Sequence, residues 1–419
     1  MQPADPRTTT LVWGGHDAAV PEILEVATGR CLPTVSHSRA IELLAATMPA
    51  VVAVVGSHST TMVAAALTCA LTVRDPGWIL TASPQGDAPG YDGGGEVLVV
   101  DLCPDLALHD AVPPGQRHRA LGSGVHPAVT VVTAADAAPP QHFSREEALD
   151  EIEALARRSG SVVVWSEQPG CAELVERLRR RPGPRVVTVG RGPGVDVAVL
   201  GLLWSGEDHR LTIEAAGERS TVTVPVAGTK AALGVASAFA AGWALGVSGA
   251  DLADGLAVFT GVERSLTRLG AAGGITVMES VAQHPEEIAA DLQGARMLTE
   301  GAVVAVVEPV GHLRTAALAS RIVQALNGAD HTVLLPVLST QVRAARHSDG
   351  AEALAHADRR GTLVIPETGP GPTGAEDAAV DLAVSLLRTA DLVLTVGPDA
   401  ARRIGPRLLA ALDRPRPAQ

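Results

Sequence analysis

The chain has 419 residues, enough for two or three domains, and because 46% are hydrophobic but only 2% aromatic, its cores must be built from Ala, Val and Leu. The net charge of -13 excludes nucleic acid and anionic membrane surfaces as expected partners. There is no apolar run near the roughly 20 residues of a membrane span, no hydrophobic signal core at the N-terminus and no C-x-x-C pair, so we expect a cytoplasmic protein.

Short β-branched runs alternate with Ala- and Leu-rich amphipathic stretches, a pattern typical of an α/β protein with parallel sheets. In the first half, the predicted strands are residues 51–55, 97–100, 129–133, 161–165 and 186–189. Residues 211–213 and 221–224 flank a polar segment and predict an antiparallel hairpin that closes the first sheet. Two helices are predicted to follow, over residues 230–245 and 250–259.

The strand–helix pattern then starts again, which predicts a second α/β domain with a junction near residues 261–264. Its predicted strands are residues 275–278, 302–307, 332–335, 362–365 and 391–396. Its predicted helices include residues 314–326 and 378–389.

The first predicted strand leads into a glycine turn, a cluster of hydroxyl residues and a helix, which is the layout of a phosphate-binding loop. The candidate residues are Gly56, Ser57, His58, Ser59, Thr60 and Thr61. A working loop also needs a second glycine and a lysine, and these places hold Ser59 and Thr60. From the residues alone, a helix with Ser59 or Thr60 as its N-cap is therefore the better interpretation.

The basic residues are unusual, since Lys230 is the single lysine among the 33 Lys and Arg residues. GC-rich coding explains most of this bias. Any step that needs a lysine still has only one candidate.

Five segments resemble motifs of one known family, in register and in order. Gly56, Ser57, His58 and Thr61 fall on its Gly-Thr-His-Gly-Lys-Thr-Thr loop. The other segments are residues 225–241, Phe259-Thr260-Gly261-Val262-Glu263-Arg264, Ala282-Gln283-His284-Pro285-Glu286-Glu287-Ile288, and Pro309 to Arg314-Thr315. Over roughly residues 11–410 the chain thus resembles the Mur ligases, most closely the UDP-N-acetylmuramate–L-alanine ligases.

This resemblance implies a central P-loop-type domain with a mainly parallel sheet over residues 48–264. It also implies a C-terminal Rossmann-like α/β domain over residues 265–419. Residues 1–47 correspond to the end of the family's N-terminal UDP-binding domain, so the usual UDP-sugar site is expected to be mostly absent.

The departures from the family pattern fall on its chemistry. Thr60 replaces the loop lysine, Pro104 replaces the catalytic glutamate and Pro139 replaces a metal-binding histidine. Lys230 stands where the nucleotide site has a histidine, so we expect residues 56–61 and Lys230 to form a degenerate nucleotide site. Such a site would lack the charges that ATP-driven acyl-phosphate chemistry needs.

Three further residues are candidates for substrate binding, each with a simpler alternative. Arg264 and Arg314 fall on family motifs, although a solvated arginine explains Arg314 equally well. His284 precedes a proline and is as well explained by capping or packing at a helix start. A metal cluster of Asp101, Cys103, Asp105 and His109 is not expected, because no second Cys/His pair lies nearby.

The sequence therefore predicts a catalytically eroded Mur ligase homologue that binds or scaffolds in peptidoglycan or peptide-type metabolite biosynthesis. No cofactor is expected, and the partner is a Mur ligase, a biosynthetic enzyme or a second copy, docked through residues 1–47 and the adjacent surface of the central domain. One alternative is a divergent ATP-dependent carboxylate–amine ligase that uses Mg-ATP, with Asp101 and Asp105 on the metal and an arginine in place of the loop lysine. Another is an enzyme of different chemistry that uses the interdomain cleft.

Overall fold

The computed structural model describes residues 37–82, 90–102, 125–136, 144–337, 350–358, 361, 363–364 and 374–413. These residues form two α/β units, each on its own sheet, and this confirms the predicted fold class. Within them, no helix is long and apolar enough to cross a membrane. The domain boundary at residues 264 and 265 stays a prediction.

The first sheet has ten strands in the order β10-β9-β8-β7-β6-β5-β1-β4-β2-β3. They are β1 (Ala50–Val55), β2 (Gly77–Ile79), β3 (Gly90–Tyr91), β4 (Val97–Leu102), β5 (Val129–Val132), β6 (Ser161–Trp165), β7 (Arg185–Gly190), β8 (Val197–Trp204), β9 (His209–Ala215) and β10 (Glu218–Val224). Strand β1 lies centrally and pairs parallel with β4 and β5. The predicted hairpin is confirmed as β9 and β10, with Thr212 opposite Thr221.

Helices cover both faces of this sheet, and the valines of β1 show why. Val52 and Val54 belong to one apolar cluster, while Val51 and Val55 belong to the other, because successive side chains of a strand point to opposite faces. The helices are α1 (His37–Ala45), α2 (Thr60–Ala70), α3 (Arg145–Ala156), α4 (Pro169–Arg179), α5 (Thr229–Ala244) and α6 (Gly249–Leu256).

The second sheet has six strands in the order β11-β12-β16-β13-β14-β15, and only the β11–β12 pair is antiparallel. Its strands are β11 (Thr267–Ala272), β12 (Ile275–Ser280), β13 (Val303–Val307), β14 (His331–Leu334), β15 (Leu363–Val364) and β16 (Leu392–Val396). Its helices are α7 (Pro285–Met297), α8 (His312–Leu326), α9 (Gly350–Ala357), α10 (Gly374–Leu386) and α11 (Ala400–Leu412).

Candidate functional site

The loop between β1 and α2 is pressed against the end of β5. Gly56 has φ 152°, and a Cβ there would lie 2.2 Å from Thr133 Oγ1, so only glycine fits. Ser57 N–H donates to the carbonyl of Ala134 at 3.2 Å, and the Thr133 hydroxyl donates to the carbonyl of His58 at 2.7 Å. The loop backbone is thus fixed at the carboxyl edge of the sheet.

Ser59 occupies the N-cap position of α2 with φ 63°, in the left-handed region. Ser59 is one of the two residues predicted for the N-cap, and its position is confirmed. Its hydroxyl makes no cap hydrogen bond, however, and its Oγ lies 3.1 Å from His58 Nδ1. Its backbone N–H instead donates to Glu287 Oε1 at 2.9 Å. In a phosphate-binding loop this N–H would face the bound anion. Here it is hydrogen-bonded to a carboxylate of the second unit instead.

The threonines that follow surround a buried acid. Thr61 Oγ1 donates to Asp101 Oδ2 at 2.6 Å, and Thr81 bonds the same oxygen through its N–H and its hydroxyl. Asp101 is fully buried, and this burial raises the pKa of its carboxyl. Thr60, in the place of the family's lysine, is 3% exposed.

Lys230, in the first turn of α5, reaches the loop from another element. Its Nζ lies 3.1 Å from His58 Nδ1. Burial lowers the pKa of Lys230, although the acidic groups of Glu287, Glu286 and Asp291 oppose this effect. The pKa of His58 is also lowered, first by burial and then by the nearby positive charge of Lys230.

Helix α7 brings its acidic first turns to the loop. The rings of His58 and His284 lie 4.9 Å apart, and Glu286 Oε2 lies 2.5 Å from His284 Nδ1. Burial alone would raise the pKa of Glu286, but its hydrogen bonds with His284 and Arg321 hold it well below its ordinary range. Burial raises the pKa of Asp291, one turn further along the helix, to about 7.

The two candidate arginines donate hydrogen bonds to other groups of the protein. Arg264 Nη2 donates to the carbonyls of Gly397 and Pro398 at 3.0 and 2.9 Å. Arg314 Nη1 donates to Gln283 Oε1 at 2.6 Å. Arg264 thus ties the segment between the sheets to the second unit.

A cavity of about 580 Å³ lies between the two units, a size that suits a small molecule. It is lined by all but one of the predicted site residues; Gly56 lies in the wall behind them. The structure thus brings together Ser57, His58, Ser59, Thr60, Thr61, Lys230, Arg264, His284 and Arg314. Sequence reasoning missed Thr81, Glu287 and Asp291, which also line the cavity. The only signal for the two acids was an acidic helix start after His284, and Thr81 had none.

Several positions named in the sequence lie outside the described residues. They are Pro104, Pro139, and the Cys103, Asp105 and His109 members of the rejected metal cluster.

The C-terminal unit matches the family model "Mur ligase, glutamate ligase domain" over residues 266–398. The UDP-N-acetylmuramate–L-alanine ligase of Streptomyces coelicolor is 30% identical over 375 residues, which are 87% of this chain and 76% of the relative. The enzyme of the same name from a Nocardioides species is 33% identical over 371 residues, 87% of this chain and 74% of the relative. This chain belongs to the Mur ligase family.

Solved Mur ligase structures share its fold. MurC from Thermotoga maritima covers 96% of this chain and 85% of its own, with a TM-score of 0.65 and 18% identity. MurF from the same organism, solved with ADP, covers 97% of this chain and 96% of its own, with a TM-score of 0.67 and 17% identity.

Mur ligase membership implies Mg²⁺ and ATP, and the described residues fit these groups only in part. Thr61 and Asp101 lie together as the threonine and acid that hold Mg²⁺ do in P-loop NTPases. Asp101 Oδ1 is buried with no hydrogen-bond partner among the described residues, which also fits an ion or water. The phosphate half fits poorly, because Thr60 carries no charge and the Ser59 N–H already binds Glu287.

Proposed function

We propose that this Mur ligase homologue binds an anionic intermediate of peptidoglycan or peptide-type metabolite biosynthesis in its cleft, without ATP-dependent ligation. Its role is binding or scaffolding. A cytoplasmic location belongs to the same proposal.

The contact between Ser59 and Glu287 carries this proposal. An acyl phosphate can be made from ATP only if the loop N–H groups and a cation meet the transferring phosphoryl group. Here a carboxylate of the protein itself lies 2.9 Å from the Ser59 N–H, and the residue in the lysine position is an uncharged, buried Thr60. The loop's anion site is therefore satisfied from within the chain.

The cleft still offers positive charge to a ligand. Lys230, Arg264 and Arg314 line the cavity together. Carboxylate and phosphate groups are the usual partners of such cations. We therefore expect a small carboxylate- or phosphate-bearing ligand.

Calorimetry tests both halves of the proposal on the full chain. N-acetylmuramate, a small carboxylate that does not need the UDP-sugar site, should bind, and Lys230→Met should weaken its binding by about tenfold, the loss of one charge-assisted contact. Mg-ATP should give no micromolar binding. No ADP should be released with UDP-N-acetylmuramate and L-alanine, whereas the Streptomyces coelicolor relative serves as the positive control.

The variant Thr60→Lys provides a matched gain-of-function test. It should restore no turnover, because Glu287 still occupies the loop. Micromolar Mg-ATP affinity in the unmodified protein, together with alanine-dependent release of ADP, would overturn the proposal.

A second candidate is a divergent ATP-dependent carboxylate–amine ligase, and the pair of Thr61 and Asp101 favours it. In that case Lys230, rather than an arginine, supplies the cation that the loop lacks, since its Nζ reaches His58 at 3.1 Å. Turnover would then be present in the unmodified protein and would fall at least about a hundredfold in Lys230→Met, as expected for a lost transition-state cation.

Association with a Mur ligase, another biosynthetic enzyme or a second copy stays part of the proposal. Its predicted surface includes residues 1–36, which lie outside the described residues. Light scattering and cross-linking, with and without Mur ligases of the host, should capture a complex. A strict monomer in both experiments would contradict association.

A further inference from the structure

Three side chains that bind transition metals converge where the two units meet. His58 comes from the loop after β1, while His284 and Glu286 lie at the start of α7. One potential ligand atom from each lies within 4.8 Å of the other two. His58 and His284 are 4% and 7% exposed, so the cluster is mostly shielded from water.

The state of His58 is the second observation that points to a ligand. Its Nδ1 lies 3.1 Å from Lys230 Nζ and 3.1 Å from Ser59 Oγ. Its Nε2 is buried and has no hydrogen-bond partner among the described residues. A buried polar nitrogen without a partner is rare in folded proteins and is often explained by a bound ion or water.

We propose that His58 Nε2, His284 Nδ1 and the Glu286 carboxylate bind one divalent transition metal ion of the Zn²⁺ class. Zn²⁺ takes nitrogen and carboxylate ligands at about 2.0–2.2 Å and accepts three protein ligands with a fourth position open. A tetrahedron of this size has edges of about 3.4 Å. The ligand atoms, which lie within 4.8 Å of one another, must therefore approach by up to about 1.4 Å when the ion binds.

The surroundings would orient these ligands. With a metal on Nε2, His58 carries its proton on Nδ1, and Ser59 Oγ can accept it. The Lys230 ammonium only donates, so it must turn away from this nitrogen when the ion binds. Arg321 bonds Glu286 Oε1, leaving Oε2 toward His284. Such outer contacts fix ring and carboxylate orientation in metal sites.

Two neighbouring cations, Lys230 and Arg321, oppose the charge of the ion. We therefore expect micromolar rather than tighter affinity. Because the ligands come from both units, the metal would cross-link the loop to α7. This role requires no nucleotide, so it stands apart from the proposed function.

Zinc sulfate alone is the probe, titrated by calorimetry into the full chain after removal of metal by a chelator. We expect one Zn²⁺ per chain and a Zn²⁺-dependent rise in melting temperature. Co²⁺ should give the visible spectrum of a tetrahedral nitrogen–oxygen site.

The variants His58→Asn and Glu286→Gln should each weaken Zn²⁺ binding by at least tenfold. Glu286→Gln keeps its shape at a partly exposed position, so it tests the site even where His58→Asn folds poorly. His331→Asn, at an exposed histidine, is the matched control and should leave binding unchanged. Absence of stoichiometric binding, or binding that survives Glu286→Gln and so resides on the cysteines or surface histidines, would overturn the proposal.

Discussion

Replacing Asp291 with asparagine should raise the free energy of unfolding above that of the unmodified chain. This gain should be larger at neutral and alkaline pH than at acidic pH. Burial raises the pKa of this carboxyl from 3.8 to about 7. The pKa of this carboxyl is higher in the folded than in the unfolded protein. Below about pH 4 it is protonated in both states, so its burial lowers the folding stability by nothing there. The cost grows as the pH rises to 7, and it stays constant above that. The asparagine side chain has no charge and avoids this cost.

The pKa rise sets the size of the effect. Each tenfold change in acidity is worth about 1.4 kcal/mol, so a rise from 3.8 to about 7 corresponds to about 4 kcal/mol. Asp291 lines the cavity, where water screens its charge, so we expect about half of this value.

Urea unfolding at a series of pH values from about 2 to 8 measures the difference directly. Asp330→Asn is a control whose stability difference from the unmodified chain should have the opposite sign. Although burial opposes it, the hydrogen bond from Arg296 lowers the pKa of Asp330, so this variant should lose stability relative to the unmodified chain as the pH rises to about 5, with no further change above that. If the stability advantage of Asp291→Asn is the same at every pH, the carboxyl does not ionise as the burial argument requires.

Three substitutions test the loop and its supports by urea unfolding. Gly56→Ala should cost about 3 kcal/mol from the clash and the positive φ, whereas Gly192→Ala, in open space, should cost under about 1. Arg264→Ala should cost about 2 kcal/mol through its lost backbone hydrogen bonds, but Arg219→Ala, at an exposed ion pair, under about 0.5. Ser59→Gly should gain about 0.5–1 kcal/mol by relieving the left-handed backbone. Equal effects within either matched pair, or a loss for Ser59→Gly, would contradict these assignments.

The central strands could be predicted because both faces of the sheet are buried. Residues 51–55 and 161–165 form unbroken apolar runs, and the structure extends them by no more than one residue. The strand β8 was missed. Leu200 and Leu203 are 49% and 67% exposed, and the register shifts between Val199 and Gly201, so its alternation is not visible in the sequence.

The candidate site could be predicted only where its residues are neighbours along the chain. The loop position and its helix follow from local sequence. The contacts of Lys230 with His58 and of Glu287 with Ser59 join residues 172 and 228 positions apart. No local pattern reports such pairs, since they depend on how the second unit meets the first. The left-handed backbone of Ser59 is signalled only by the family's loop, which has a glycine at that place.

Glu287 and an external phosphate compete for the loop, and this competition links ligand binding at the loop to the second unit, which carries Glu287. The single N–H of Ser59 cannot serve both Glu287 and an external phosphate in the same place. A phosphate that takes this N–H must therefore displace the Glu287 carboxylate, and its apparent affinity falls with the fraction of molecules in which that carboxylate has left the loop. A ligand held by Lys230 and Arg314 alone carries no such cost, because those cations lie on the cavity wall while Glu287 stays bound. Under the proposed function we therefore expect the cleft to bind anions that leave the loop untouched more tightly than nucleotides that need it.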